Sequence, residues 1–173
     1  VIPPGVEISA SRAKPGDVIL ISGALGDHGM AVLSQRENLS FESPIVSDTA
    51  ALHGLVAAMM QVAPGIHCLR DPTRGGLGSA LNEIAQQSGV GMRLREAAIP
   101  VHEPVRALCE FLGLDPLYVA NEGKLLAICP AELGDTALAA LRDHPLGREA
   151  AIIGEVVVDD HGFVEMETTF GGR

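Results

Sequence analysis

The chain has 173 residues, 47% apolar and 20% charged, which suits a domain with a substantial core and excludes an intrinsically disordered chain. Its 22 acidic and 12 basic residues give a formal net charge of −10, arguing against non-specific binding to nucleic acid or anionic membranes. No apolar run approaches the roughly 20 residues needed to cross a bilayer, and no signal peptide is visible.

The first 15 residues carry Pro3, Pro4 and Pro15 and read as an irregular lead-in. Residues 17–22 form a near-continuous apolar run, the pattern of a buried strand. Gly23, Gly26 and Gly29 then punctuate a loop, and 30–35 is helical in pattern. Residues 40–44 are breakers. A helical apolar face over 49–62 ends at Pro64-Gly65. Residues 66–70 read as a short strand, and 77–87 as a helix stopped by Gly89. Residues 91–95 alternate as a half-exposed strand does, and 104–112 is a short helix with proline in its first turn. Residues 125–129 predict another buried strand and 133–141 an alanine-rich helix. A final strand pair is predicted at 151–158 and 162–166, joined by a turn at 159–162, with Glu165 and Glu167 on its solvated side. The alternation implies an α+β fold, a mixed sheet flanked by helices.

Aromatic residues make up 3% of the chain and Trp is absent, so the core must rest on Ala, Val, Leu and Ile. Cys68, Cys109 and Cys129 lie far apart in apolar contexts without C-x-x-C spacing. They are expected to be reduced, buried thiols of a cytoplasmic protein, and no metal site is expected.

Three polar clusters flank the apolar strands. In Gly23-Ala24-Leu25-Gly26-Asp27-His28-Gly29 the glycines permit positive φ and close backbone approach to a ligand. The spacing fits neither a P-loop nor a dinucleotide fingerprint, and a tight capped turn explains it equally well. His28 is open to the role of ligand contact, proton carrier or helix cap. In Asp71-Pro72-Thr73-Arg74-Gly75-Gly76, paired glycines and an arginine open a helix. Both choices are unfavourable for a plain helix start, but both make sense if Thr73, Arg74 and the free N–H groups of Gly75 and Gly76 receive an anion. Asp71 sits where a carboxylate could hold a metal ion or a substrate hydroxyl. The third cluster, Asn121-Glu122-Gly123-Lys124, places a carboxylate beside a carboxamide before a buried strand. It reads as a general base, a metal ligand or simply a polar loop.

These clusters, in this order with Ser47-Asp48-Thr49 and the terminal Phe170-Gly171-Gly172-Arg173, resemble the C-terminal domain of the HypE hydrogenase expression/formation proteins. That family lies within the PurM-like, aminoimidazole ribonucleotide (AIR) synthase-related superfamily, and the resemblance spans essentially the whole chain. It implies 1–15 as the lead-in from a missing N-terminal ATP-binding domain and 16–173 as the AIR-synthase-related C-terminal domain. It also implies an ATP-dependent carbamoyl dehydratase that converts an S-carbamoylated C-terminal cysteine to a thiocyanate, for the cyanide ligands of NiFe-hydrogenase. The partners implied are a HypF-like carbamoyltransferase, a HypC–HypD-like complex and a second copy in a homodimer, with ATP and Mg²⁺ held mostly by the N-terminal domain. Within this chain the resemblance makes Glu122 the general base and Asn121 its orienting neighbour. Asp71, Thr73, Arg74, Gly75 and Gly76 would face nucleotide phosphates or the incoming tail, with Gly26 and His28 beside them. The N-terminal domain and the tail cysteine are not in this sequence, so the fragment alone is expected to be inactive. The competing readings are another ATP-using member, of the selenophosphate synthetase or thiamine-monophosphate kinase kind, and a non-catalytic dimerisation or binding module.

Overall fold

The computed structural model describes residues 6–37 and 45–172. Pro3 and Pro4 of the lead-in, the breaker region at 40–44 and the terminal Arg173 lie outside the described residues. Among the described residues eleven α-helices and β-strands follow one another: β1 (Asp17–Ile21), α1 (Asp27–Arg36), α2 (His53–Val62), β2 (Cys68–Arg70), α3 (Gly76–Ser88), β3 (Gly91–Arg95), α4 (Glu103–Leu112), β4 (Leu126–Pro130), α5 (Ala131–Asp143), β5 (Ala151–Val157) and β6 (Val164–Glu167).

The strands make one six-stranded sheet in the order β2-β4-β1-β5-β3-β6. Every pairing is antiparallel except β3 with β6, which is parallel, so the sheet is mixed as the sequence pattern predicts. Alternation along β1 divides the core. Ile19 and Ile21 join Leu77, Leu81 and Ile84 of α3 in one apolar layer. Leu20, on the other face, joins Leu55 and Met59 of α2 and Ala137 and Leu141 of α5. Helices therefore cover both faces, and each fully buried aliphatic side chain adds about 1.5–3 kcal/mol. A smaller cluster of Met30, Val105, Leu108 and Val119 joins α1 to α4.

All three cysteines are buried free thiols. Cys68 and Cys129 lie in opposite layers of the core, and burial pushes each thiol up to about 11. They are chemically inert at neutral pH.

Three departures from the sequence pattern have physical causes. The last two strands are not a hairpin, because β3 lies between them. After β5 the chain crosses the end of β3 through a turn in which Asp159 accepts the N–H groups of His161 and Phe163. The Phe163 carbonyl then accepts Met92 N–H, which starts the parallel pairing. Helix α1 begins at Asp27, three residues before the expected position, because left-handed Gly26 (φ +88°) turns the chain directly into it. Helix α2 begins at His53 rather than near residue 49, because the polar groups of 47–49 are engaged elsewhere. The described part of the lead-in, 6–15, has no helix or strand but is anchored: Ala13 is buried, and Ser88 Oγ accepts Ala13 N–H and donates to Ala10 O.

Candidate functional site

The three polar clusters meet at Asn121, which is 1% exposed. Its Oδ1 accepts Gly26 N–H at 2.8 Å, while its Nδ2 donates to Pro72 O and Val119 O, both at 3.0 Å. Its own N–H also reaches Pro72 O. One carboxamide thus pins the glycine loop, the Asp71 motif and the segment before β4 to one another. Both of its N–H donors are used, as a buried amide requires. No hydrogen bond among the described residues joins the Asn121 side chain to the Glu122 carboxylate.

Glycine makes this meeting possible at the start of α3. Gly75 and Gly76 are both left-handed (φ +76° and +62°). A Cβ on Gly76 would lie 2.4 Å from Leu117 O and 2.7 Å from Val119 O, so no other residue allows α3 to seat against 117–119. Gly76 N–H turns back to Thr73 O. Asp71 and Arg74 are exposed and Thr73 is half-buried. No ion pair or side-chain hydrogen bond engages Asp71, Thr73 or Arg74 among the described residues. Arg74 and Thr73 therefore stand at the opening of a 13-residue helix, available to an anion.

Glu122 is exposed, and its backbone is held tightly. Its N–H donates to Asp48 Oδ1 at 3.1 Å. A Cβ on the next residue, Gly123, would fall 1.7 Å from Asp48 O, so the loop lies flush against the backbone of 48–50. Lys124 then returns its ammonium to within 3.4 Å of Asp48 Oδ2, an ion pair whose side chains are 13% and 3% exposed. That oxygen has no hydrogen-bond donor among the described residues; the pair is in Coulombic contact without hydrogen-bond alignment.

His28 lies on the same segment's other side. Its Nδ1 is 2.9 Å from Ser47 Oγ and 3.5 Å from Thr49 Oγ1. It lines a largely apolar cleft of about 380 Å³ with Leu33, Tyr118 and Val119. A separate cleft of about 390 Å³ is lined by Gly23, Asp27, Asp48, Lys124, Arg148 and Glu149. Glu122, Asp71 and Arg74 do not line that second cleft. The structure therefore gathers Gly26, Asn121 and Pro72 at one point and links Glu122 and His28 through 47–49, and among the described residues no hydrogen bond or ion pair joins Glu122 to Arg74.

Sequence reasoning gave no role to His102, Glu149, Asp48 or Asp27. His102 Nδ1 is 2.9 Å from Asp27 Oδ1, and its Nε2 is 3.1 Å from both Glu149 oxygens. The Asp27 hydrogen bond, aided by Glu149 and opposed by burial, raises the imidazole above its ordinary value. These partners are 75 and 47 residues from His102, so no local spacing could reveal them. The only sequence signal for Asp48 was its place in the Ser47-Asp48-Thr49 motif.

The family described as AIR synthase related protein, C-terminal domain, matches residues 14–167. The carbamoyl dehydratase HypE of Azotobacter vinelandii is 69% identical over 172 residues, which is 99% of this chain and 50% of that protein. The chain spans about half the length of the curated relatives it matches. A crystal structure of the hydrogenase maturation protein HypE in complex with ATP superposes with a TM-score of 0.90 at 51% identity, over 95% of this chain and 51% of that one. The crystal structure of a HypE–HypF complex gives 0.91 at 47% identity, over 95% and 53%. The chain belongs to the AIR synthase related proteins, as a C-terminal domain of the HypE type.

Proposed function

We propose that this domain forms part of an ATP-dependent carbamoyl dehydratase, in which a carbamoyl group on a C-terminal cysteine is dehydrated to a thiocyanate for the cyanide ligands of NiFe-hydrogenase. Two things support the reading: the 69% identity to a carbamoyl dehydratase HypE, and the Asn121 clamp, which carries most of the argument. It fixes the loop bearing Glu122 against the two glycine-opened helix starts, leaving the carboxylate exposed and directed by its backbone alone.

Bound ATP supplies the phosphoryl group that makes the carboxamide oxygen a leaving group. The residues of this chain have the remaining tasks. One nitrogen proton passes to solvent when the carboxamide oxygen takes the phosphoryl group; Glu122 takes the second as the carbon–oxygen bond breaks, inorganic phosphate leaves and the nitrile forms. Asn121 keeps the Glu122 loop in register through its backbone bonds. Asp71, Thr73, Arg74 and Gly75 face the phosphates or the incoming tail, where positioning and charge neutralisation are the main requirement; Gly76, expected to join them, is instead buried with its N–H bonded to Thr73 O, and it seats α3 against 117–119. Gly26 and His28 border the same region. Among the described residues no three of His, Cys, Asp and Glu converge as a metal site. In this reading Mg²⁺ and most nucleotide contacts belong to an N-terminal domain.

A HypF-like carbamoyltransferase would load the cysteine, in keeping with the solved HypE–HypF complex. A HypC–HypD-like complex would receive the cyanide, and the whole protein would act as a cytoplasmic homodimer. The test is mass spectrometry of the full-length protein with a carbamoylated tail. On adding ATP the tail should lose one water for each ATP consumed. A tail left unchanged while phosphate is transferred to a small molecule would overturn the reading in favour of a kinase-like relative. The isolated domain is expected to bind ATP weakly or not at all by calorimetry.

A further inference from the structure

The segment Ser47-Asp48-Thr49 touches two of the polar clusters. Ser47 Oγ meets His28 Nδ1 at 2.9 Å and Thr49 Oγ1 at 2.9 Å, so one end of the segment is tied to the glycine loop. Asp48, between them, engages three consecutive residues of the Glu122 loop. Its Oδ1 accepts the N–H of Glu122 at 3.1 Å. Its carbonyl oxygen lies where a Cβ on Gly123 would be, 1.7 Å away. Its Oδ2 faces Lys124 Nζ at 3.4 Å. The stem of Lys124 in turn covers Gly23, whose Cβ position lies 3.4 Å from Lys124 Cε. The Asp48 side chain is 3% exposed, whereas Glu122 is exposed and has no side-chain hydrogen bond of its own among the described residues.

An exposed carboxylate with no side-chain partner can be aimed only through its backbone. The groups that fix that backbone are Asn121 on one side and Asp48 on the other. Asn121 binds loop to loop, but among the described residues only Asp48 hydrogen-bonds residue 122 itself. A carboxylate accepting a backbone N–H makes a charge-assisted bond. The nearby ammonium offsets the burial of that carboxylate. The bond therefore holds the Glu122 Cα in one place without adding a partner to the reacting oxygen atoms.

We infer that Asp48 is a positioning residue for Glu122, acting through the Glu122 backbone N–H and the Lys124 ion pair; this rests on Glu122 acting as the base. The reacting groups never touch Asp48. Its effect is to remove the freedom that would let Glu122 drift from the proton it takes, and displacement of about 1 Å at a catalytic group can cost on the order of 100-fold in rate.

The experiment uses the full-length protein with a carbamoylated tail, and reads kcat and KM for ATP separately. Asp48→Ala should lower kcat by about tenfold or more with KM for ATP little changed. Asp48→Asn, which restores an Oδ1 acceptor at the same volume, should recover most of that loss. In a Glu122→Gln background, Asp48→Ala should lower the residual rate no further, because the group it positions is already gone. A wild-type kcat in Asp48→Ala overturns the inference, as does an equal fold-loss in both backgrounds, the mark of a merely structural role. If Asp48→Ala does not fold, Asp48→Ser, whose hydroxyl is too short to reach the Glu122 N–H, is read in its place in both backgrounds. A loss confined to the protein with Glu122 intact supports the inference, and any other result overturns it. A wild-type rate in Glu122→Gln would instead overturn the base assignment.

Discussion

Asn121 and Glu122 are adjacent in sequence and opposite in environment. Asn121 is 1% exposed, and its side chain is bonded to the backbones of Gly26, Pro72 and Val119. Glu122 is exposed, and among the described residues only its backbone N–H is bonded, to Asp48. The Asp71 motif divides the same way: Pro72 and Gly76 are buried in the junction, while Asp71 and Arg74 face outward. A motif that reads as one functional string thus contains two kinds of residue. The buried ones hold loops together, and the exposed ones remain free for a ligand. Burial and bonding, which the string itself does not display, separate them.

The buried set should respond through stability. Asn121→Ala leaves the buried N–H of Gly26 and the Val119 carbonyl without their partner, and Pro72 O with only the backbone N–H of residue 121, and should cost roughly 3–5 kcal/mol in urea unfolding. A loss below about 1 kcal/mol would show that water replaces the clamp. Gly76→Ala should follow, at about 2–4 kcal/mol, since the new methyl would meet both a left-handed backbone and Leu117 O. Normal stability there would mean that the start of α3 is not pressed against 117–119.

The His102 bridge lies between the two kinds, with a side chain 45% exposed. Its folded-state pKa is raised. Its stabilising effect is therefore full below the ordinary histidine value of about 6.5 and is lost as pH rises through the raised value. His102→Gln should lower Tm more near pH 6 than near pH 9, with a stability difference of at most about 1 kcal/mol after solvent screening. A Tm difference independent of pH would mean that the imidazole is not held charged between Asp27 and Glu149.

Much of the fold was legible in the sequence because it follows local rules. The near-continuous apolar run at 17–22 and the helical period after Leu77 placed β1 and α3 nearly to the residue, and Gly89 stops α3 in the left-handed form expected of it. The insertion of β3 between β5 and β6 was not legible, since strand order depends on pairing between distant segments. The same holds for the site. Paired glycines announced a special helix start, but the assignment of Asn121 to the clamp depends on partners 95 and 49 residues away. The bond from Asp48 to Glu122 spans 74 residues. Long-range hydrogen bonds leave no periodic trace in a single chain.

The central claim is that the exposed carboxylate acts while its buried neighbour holds it in place. Glu122→Gln in the full-length protein tests this most directly, with ATP-dependent loss of water from the carbamoylated tail and Tm measured on the same sample. The account predicts that dehydration falls by about 100-fold or more with Tm unchanged within about 1 °C. Dehydration at the wild-type rate in that variant would contradict it.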